Sequence, residues 1–185
     1  MWLLLAAVLT LLRDDGSRIT VTSTHEPRQT TLRIKDATVR IDGFTVNRIE
    51  AAGPNLHISG AIGPVDDGAY LSRLITPEGR VLWDSTKLGL IDPWVVMDRD
   101  GRRWAAAQAM GDRGFRLYTG STRSRAIEQS ISFEPNARPD EPRCYAADAI
   151  EVTFEEEKVS VTFKGRRYLV NPRTRAVRAV RCREP

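Results

Sequence analysis

The chain has 185 residues, 41% hydrophobic, 28% charged and only 7% aromatic, with a formal net charge of +4. That length holds one ordinary domain, or one with a small extension, and buries a real core; the composition excludes a disordered tail. Positive charge without a recognition-helix or zinc-finger pattern, and with few aromatics, argues against nucleic acid as a partner.

Trp2 and Leu12 bound an apolar run of eleven residues broken only by Thr10, after which Arg13, Asp14 and Asp15 turn sharply polar. Such a run is too short to span a bilayer as a helix, but it suits the core of a secretory signal or a short membrane anchor. No Lys or Arg precedes it and no small-x-small site closes it, so a buried N-terminal strand or helix is the competing reading. The expected organisation follows. Residues 1–13 are a signal or short membrane-anchor segment, 14–133 a β-rich domain, 134–143 a proline-rich loop, and 144–185 a C-terminal β-meander packed on the same domain.

From Ser17 onward the pattern has a period of two. Ile19 and Val21 alternate with Thr20 and Thr22, and Leu32 with Ile34, Val39 with Ile41 and Phe44 with Val46 repeat it. That is the signature of strands with one buried and one wet face. Asp42-Gly43 reads as a two-residue hairpin turn, and residues 55–60, fenced by Gly53-Pro54 and Gly63-Pro64, as a further short strand.

In the middle third, Pro77-Glu78-Gly79 and Asp98-Arg99-Asp100-Gly101 each separate an apolar run from a returning run that carries Trp83 or Trp104. A strand, a charged glycine turn and a tryptophan-bearing strand resemble the hairpins of β-propeller blades. No fixed-period self-similarity accompanies them, so the expected fold is a mainly antiparallel sandwich or open barrel. Helix is expected at most in the N-terminal run and over residues 104–110, where Ala105, Ala106, Ala107 and Ala109 cluster; the latter stretch reads equally as a strand.

Three prolines within residues 134–143 forbid a central strand or a helix there. Beyond them Ile150, Val152 and Phe154, then Val159, Val161 and Phe163, alternate with polar residues, and two more runs flank Asn171-Pro172-Arg173-Thr174. This is the C-terminal meander. Cys144 and Cys182, the only cysteines, bracket it with 37 residues between them. In an exported chain an even number of cysteines pairs by default, and a loop of that size corresponds to roughly 4 kcal/mol of stabilisation in the chain-entropy model. The alternating strands after Cys144 resemble those of small envelope inhibitors of lysozyme, without the serine–glycine–tyrosine signature those carry, so the resemblance names no family.

Catalytic and metal chemistry find little support. His25 and His57 are the only histidines; no Gly-x-Ser-x-Gly elbow, phosphate-cradling loop or dinucleotide fingerprint is present. Asp98 and Asp100 lack the remaining ligands of a calcium loop and read as a plain hairpin turn. Glu155, Glu156 and Glu157 read as a solvated turn. No catalytic residue, metal ligand or cofactor is therefore expected.

Binding remains. After Glu157 the chain carries nine Lys or Arg and a single acid, Glu184. Arg166, Arg167, Arg173 and Arg175, with Tyr168 as aromatic anchor, are the expected partner-binding residues, opposite an acidic protein face or an anionic envelope surface. Pairing of these arginines with Glu155–157 is the bland alternative. The expected function is a non-enzymatic extracytoplasmic binding module of inhibitor, immunity or adaptor type. The alternatives are a structural or accessory subunit of a membrane-associated assembly, touching the membrane through Trp2 to Leu12, and an unrecognised enzyme or ligand carrier.

Overall fold

The structure is a computed structural model that describes residues 6–12, 16, 18–25, 28–34, 37–42, 44–62, 69–90, 94–124, 126–134 and 150–180. Cys144, Cys182, Trp2 and most of the proline-rich stretch lie outside them. The chain divides into two compact units, Met1–Asp92 with Arg99–Gly101, and Pro93–Asp98 with Arg102–Pro185.

The first unit holds two sheets. One is β1 (Ala6–Leu12), β2 (Arg18–His25), β3 (Arg28–Ile34) and β4 (Ala37–Asp42); the other is β5 (Phe44–Ala52), β6 (Asn55–Ile62), β7 (Ala69–Ile75) and β8 (Val81–Asp84). In both, each strand pairs antiparallel with the next, in the order 1-2-3-4. A 3-10 turn, Ser85–Leu88, follows β8 and is capped by Asp84, whose carboxylate accepts from the Thr86 amide at 2.9 Å. The second unit repeats the plan with β9 (Trp94–Met97), β10 (Arg103–Ala109), β11 (Phe115–Ser121) and β12 (Gln129–Phe133), then β13 (Glu151–Glu155), β14 (Lys158–Phe163), β15 (Arg166–Asn171) and β16 (Ala176–Val180).

The mainly antiparallel β class and the C-terminal meander are therefore as the alternation predicts. Within each unit two sheets pack face to face over an apolar core, in the manner of a sandwich. The local build of a propeller blade, expected for the middle hairpins alone, extends to all four sheets.

Two open alternatives resolve to strand, and one expectation needs correction. The alanine-rich stretch is not a helix but β10, and Ala105, Ala106 and Ala107 are buried on both faces of the strand, which hides its period of two. The N-terminal run is not helical over its described part; Ala6–Leu12 is β1, in register with β2 from Ala6↔Thr24 to Leu12↔Arg18. Asp42-Gly43 closes no hairpin: β4 pairs with β3 and β5 with β6, so the chain there passes from one sheet to the next.

The two units are held together internally by different chemistry. In the first, Ile19, Val21 and Leu32 meet Phe44, Leu56, Ile58 and Leu71. A pair of buried hydroxyls runs beside them. Ser23 and Thr30 lie 2.9 Å apart; Thr30 Oγ1 donates to the Phe44 carbonyl at 2.6 Å, and the Val46 amide donates to Ser23 Oγ at 3.0 Å. These groups belong to β5, an edge strand of its sheet, so the hydroxyls satisfy backbone that has no ladder partner there. Gly60 makes the bulge between Val46 and Arg48 feasible, because a Cβ at that position would sit 1.9 Å from the Thr45 carbonyl oxygen. In the second unit the core is apolar and aromatic: Phe115 lies 5.5, 5.9 and 5.7 Å, centroid to centroid, from Phe133, Phe163 and Tyr168.

Candidate functional site

Charge separates the units as well. By sequence the second holds 17 Lys or Arg against 12 Asp or Glu, and the first 11 against 12. Arg173 and Arg175 stand at the β15–β16 turn, beside a cleft of about 180 Å³ within the second unit. Its lining includes the buried Trp104, the half-buried Arg103, Phe154 and Pro172, and the exposed Glu128, Glu157 and Arg173.

Arg103 is tied in place by its neighbours. Asp98 Oδ1 accepts from the amides of Arg102 and Arg103 at 2.8 and 3.0 Å, and its Oδ2 accepts from Arg103 Nε at 2.8 Å. Asp98 is thus the buttress of a plain hairpin turn, as its sequence suggested. The same guanidinium donates to the Glu156 carbonyl at 2.7 Å and lies 5.3 Å over the Phe154 ring. Trp104 packs against Gly120, where a Cβ would fall 2.8 Å from the indole ring.

The turn itself is held by Asn171, whose side-chain oxygen accepts from the amides of Arg173 and Thr174 at 3.0 and 3.3 Å. Arg175 closes it in the left-handed region, with φ 59°, and its guanidinium donates to the Ser130 carbonyl at 2.9 Å. Arg173 is 81% exposed, with Glu157 3.7 Å from its guanidinium.

The expected binding residues therefore fall into three groups. Arg173 and Arg175 share the exposed turn. Arg166 and Arg167 are half-buried on β15, and Arg167 is engaged internally, paired with Glu155 and donating to Ser160 Oγ at 2.9 Å. Tyr168 is 2% exposed, inside the aromatic cluster and 5.1 Å from Phe133, so it is a core residue and not an aromatic anchor for a partner. Its alternation with Arg167 was legible, but that its face is the buried one was not. Arg103, Glu128 and Phe154 were missed; only Phe154, at the wet end of an alternating strand, carried a sequence signal.

A second polar cluster, also unforeseen, lies in the first unit. His57, on β6, is buried at 1% exposure. Its Nδ1 is 3.3 Å from Glu50 Oε2 on the neighbouring strand and its Nε2 is 3.3 Å from Ser59 Oγ, which lies 2.9 Å from Ser72 Oγ. Ser85 Oγ accepts from the Ser72 amide at 3.0 Å, and Arg48 pairs with Glu50. The Glu50 carboxyl is held below the usual carboxylate range by the His57 hydrogen bond first and by Arg48 after it, against burial, which raises it. Acid, histidine and serine stand in the order of a nucleophile relay, but both histidine contacts are long and Ser59 is buried. The arrangement ties three strands together.

Four successive up-and-down sheets of four strands define the class to which this chain is similar. No family model matches the sequence, and no curated protein does. Among solved structures the chain is similar to the acylaminoacyl peptidase of Pyrococcus horikoshii in its orthorhombic crystal form, with a TM-score of 0.57 and 8% identity, over 96% of this chain and 32% of that one. The chain thus spans about a third of that protein's length, and at such identity the likeness shows the fold alone.

Proposed function

We propose that the chain is a non-enzymatic extracytoplasmic binding module, of inhibitor, immunity or adaptor type, which recognises a protein partner or another anionic envelope component through the β15–β16 turn. The observation that carries the reading is Arg173, exposed and loosely paired in the lining of a cleft whose Arg103 is already tied in place. At about 180 Å³ the cleft suits one inserted side chain of a protein better than a whole small molecule, for which sites run to roughly 300–1,000 Å³. This favours a protein partner over a ligand carrier. The test is co-purification from native membranes, followed by association kinetics of Arg173→Glu/Arg175→Glu. Association is expected to slow by about tenfold and to lose salt sensitivity. An unchanged rate and salt response would remove the turn from the interface.

A second reading, an accessory subunit of a membrane-associated assembly, is favoured by β1, since cleavage near residues 14–18 would strip a strand from the first sheet. A mature N-terminus at Met1 or Trp2 supports the subunit; one near Asp14 to Arg18 supports a free binder. Export also implies a Cys144–Cys182 disulfide, read directly by mass spectrometry with and without thiol alkylation. Two freely alkylated thiols in protein from its own compartment would sink both the bond and the case for export.

A further inference from the structure

The first sheet has a second face. Leu9, Leu11, Ile19, Val21, Leu32 and Val39 point into the core, so the alternate residues point outward. The register sets them in rows: Leu12 beside Arg18; Thr10, Thr20, Arg33 and Thr38; and Val8, Thr22, Thr31 and Arg40. Arg18, Arg33 and Arg40 thus fall on a diagonal across β2, β3 and β4, each exposed, with diagonal neighbours about 7–8 Å apart. At the far end of β4 the register pairs Asp42 with Gln29. Along its β1 margin stand Val8, 61% exposed, and Leu12, 68% exposed, the two most exposed large apolar side chains described.

We propose that this outward face, Arg18, Arg33 and Arg40 with Val8 and Leu12, is a peripheral docking surface for an anionic lipid bilayer. The arginines meet headgroup phosphates while the threonine hydroxyls between them offer further donors, and the two aliphatic side chains enter the boundary between headgroups and acyl chains. A soluble polyanion would use the diagonal of guanidiniums equally well, but it has no use for two exposed aliphatic side chains beside them. That pairing of charge with apolar surface on one face decides for the membrane. The surface is separate from the β15–β16 turn and stands without it.

The test is vesicle co-sedimentation of the full chain, with phosphatidylcholine alone and with phosphatidylcholine mixed with phosphatidylglycerol. Binding is expected only with the anionic lipid and is expected to weaken with salt. Arg18→Glu/Arg33→Glu/Arg40→Glu should lower it on the order of a hundredfold or more, and Val8→Ser/Leu12→Ser should weaken it while leaving its salt dependence intact. Arg173→Glu/Arg175→Glu should bind vesicles as the parent does, which separates failure here from failure at the turn. Far-UV circular dichroism confirms that each variant is folded. Absence of binding by the parent, or unchanged binding by the triple variant, overturns the proposal. So does full retention by Val8→Ser/Leu12→Ser together with complete competition by heparin, which would make the face a reader of soluble polyanions.

Discussion

The two units are built on one plan and stabilised by two chemistries. In the first, sheet meets sheet with the help of hydroxyls on backbone, and a buried histidine is threaded between a carboxylate and two serines. In the second, four aromatic rings fill the middle of the described core. A meander needs only that alternate residues be removed from water and that edge groups find partners; it does not prescribe which residues do this. The first unit should therefore be sensitive to loss of a hydrogen bond and to acid, and the second to loss of volume.

The largest effect should come from emptying the aromatic cluster. Phe115→Ala removes a fully buried ring that touches three others and is expected to cost about 3–5 kcal/mol, read as a shift in the urea midpoint. Next, Thr30→Val keeps the shape of the hydroxyl pair's second member but leaves the Phe44 carbonyl without its donor. A cost of about 1–3 kcal/mol is expected by the same measurement. If Thr30→Val proved neutral, the contrast between the units would fail.

Acid should act on the first unit through Glu50. Its folded pKa lies below the reference 4.5, so its stabilising contribution is complete above that value and is lost as pH falls through the folded one. Melting temperatures followed from about pH 6 to about pH 3 should fall more steeply for the parent than for Glu50→Gln. Parallel curves would show that the histidine cluster carries no proton-linked stability. The smallest effect belongs to the turn: Arg173→Glu/Arg175→Glu should leave stability within about 0.5 kcal/mol, because one guanidinium is almost wholly in water and the other meets a single carbonyl.

Much of this fold was legible because alternation reports a half-buried strand directly. Val152 and Phe154, or Ile19 and Val21, needed nothing more. What alternation cannot report is which strand lies against which. The meanders begin at Ala6, Phe44, Trp94 and Glu151, at intervals of 38, 50 and 57 residues, so no fixed period betrays a fourfold plan. β10 was ambiguous because small residues fill both of its faces. The site was less legible still. Arg173 and Arg175 were found from charge density at a turn, whereas Arg103 reaches the cleft from β10 and Glu128 from the loop before β12, and nothing local marks a residue for a neighbour some 30 to 70 positions away.

The binding of β5 backbone by the Ser23–Thr30 hydroxyl pair has one more consequence. A strand at the margin of a sheet offers its bare amides and carbonyls to any extended segment that drifts past, and so invites strand-by-strand polymerisation. Ser23 and Thr30 already occupy the Phe44 carbonyl and the Val46 amide, and the bulge that begins at Val46 bends the strand just beyond them. A visiting strand would have to displace both hydroxyls and then follow a kinked template. The contact that joins the two sheets therefore also acts as a gatekeeper, closing that edge to foreign chains.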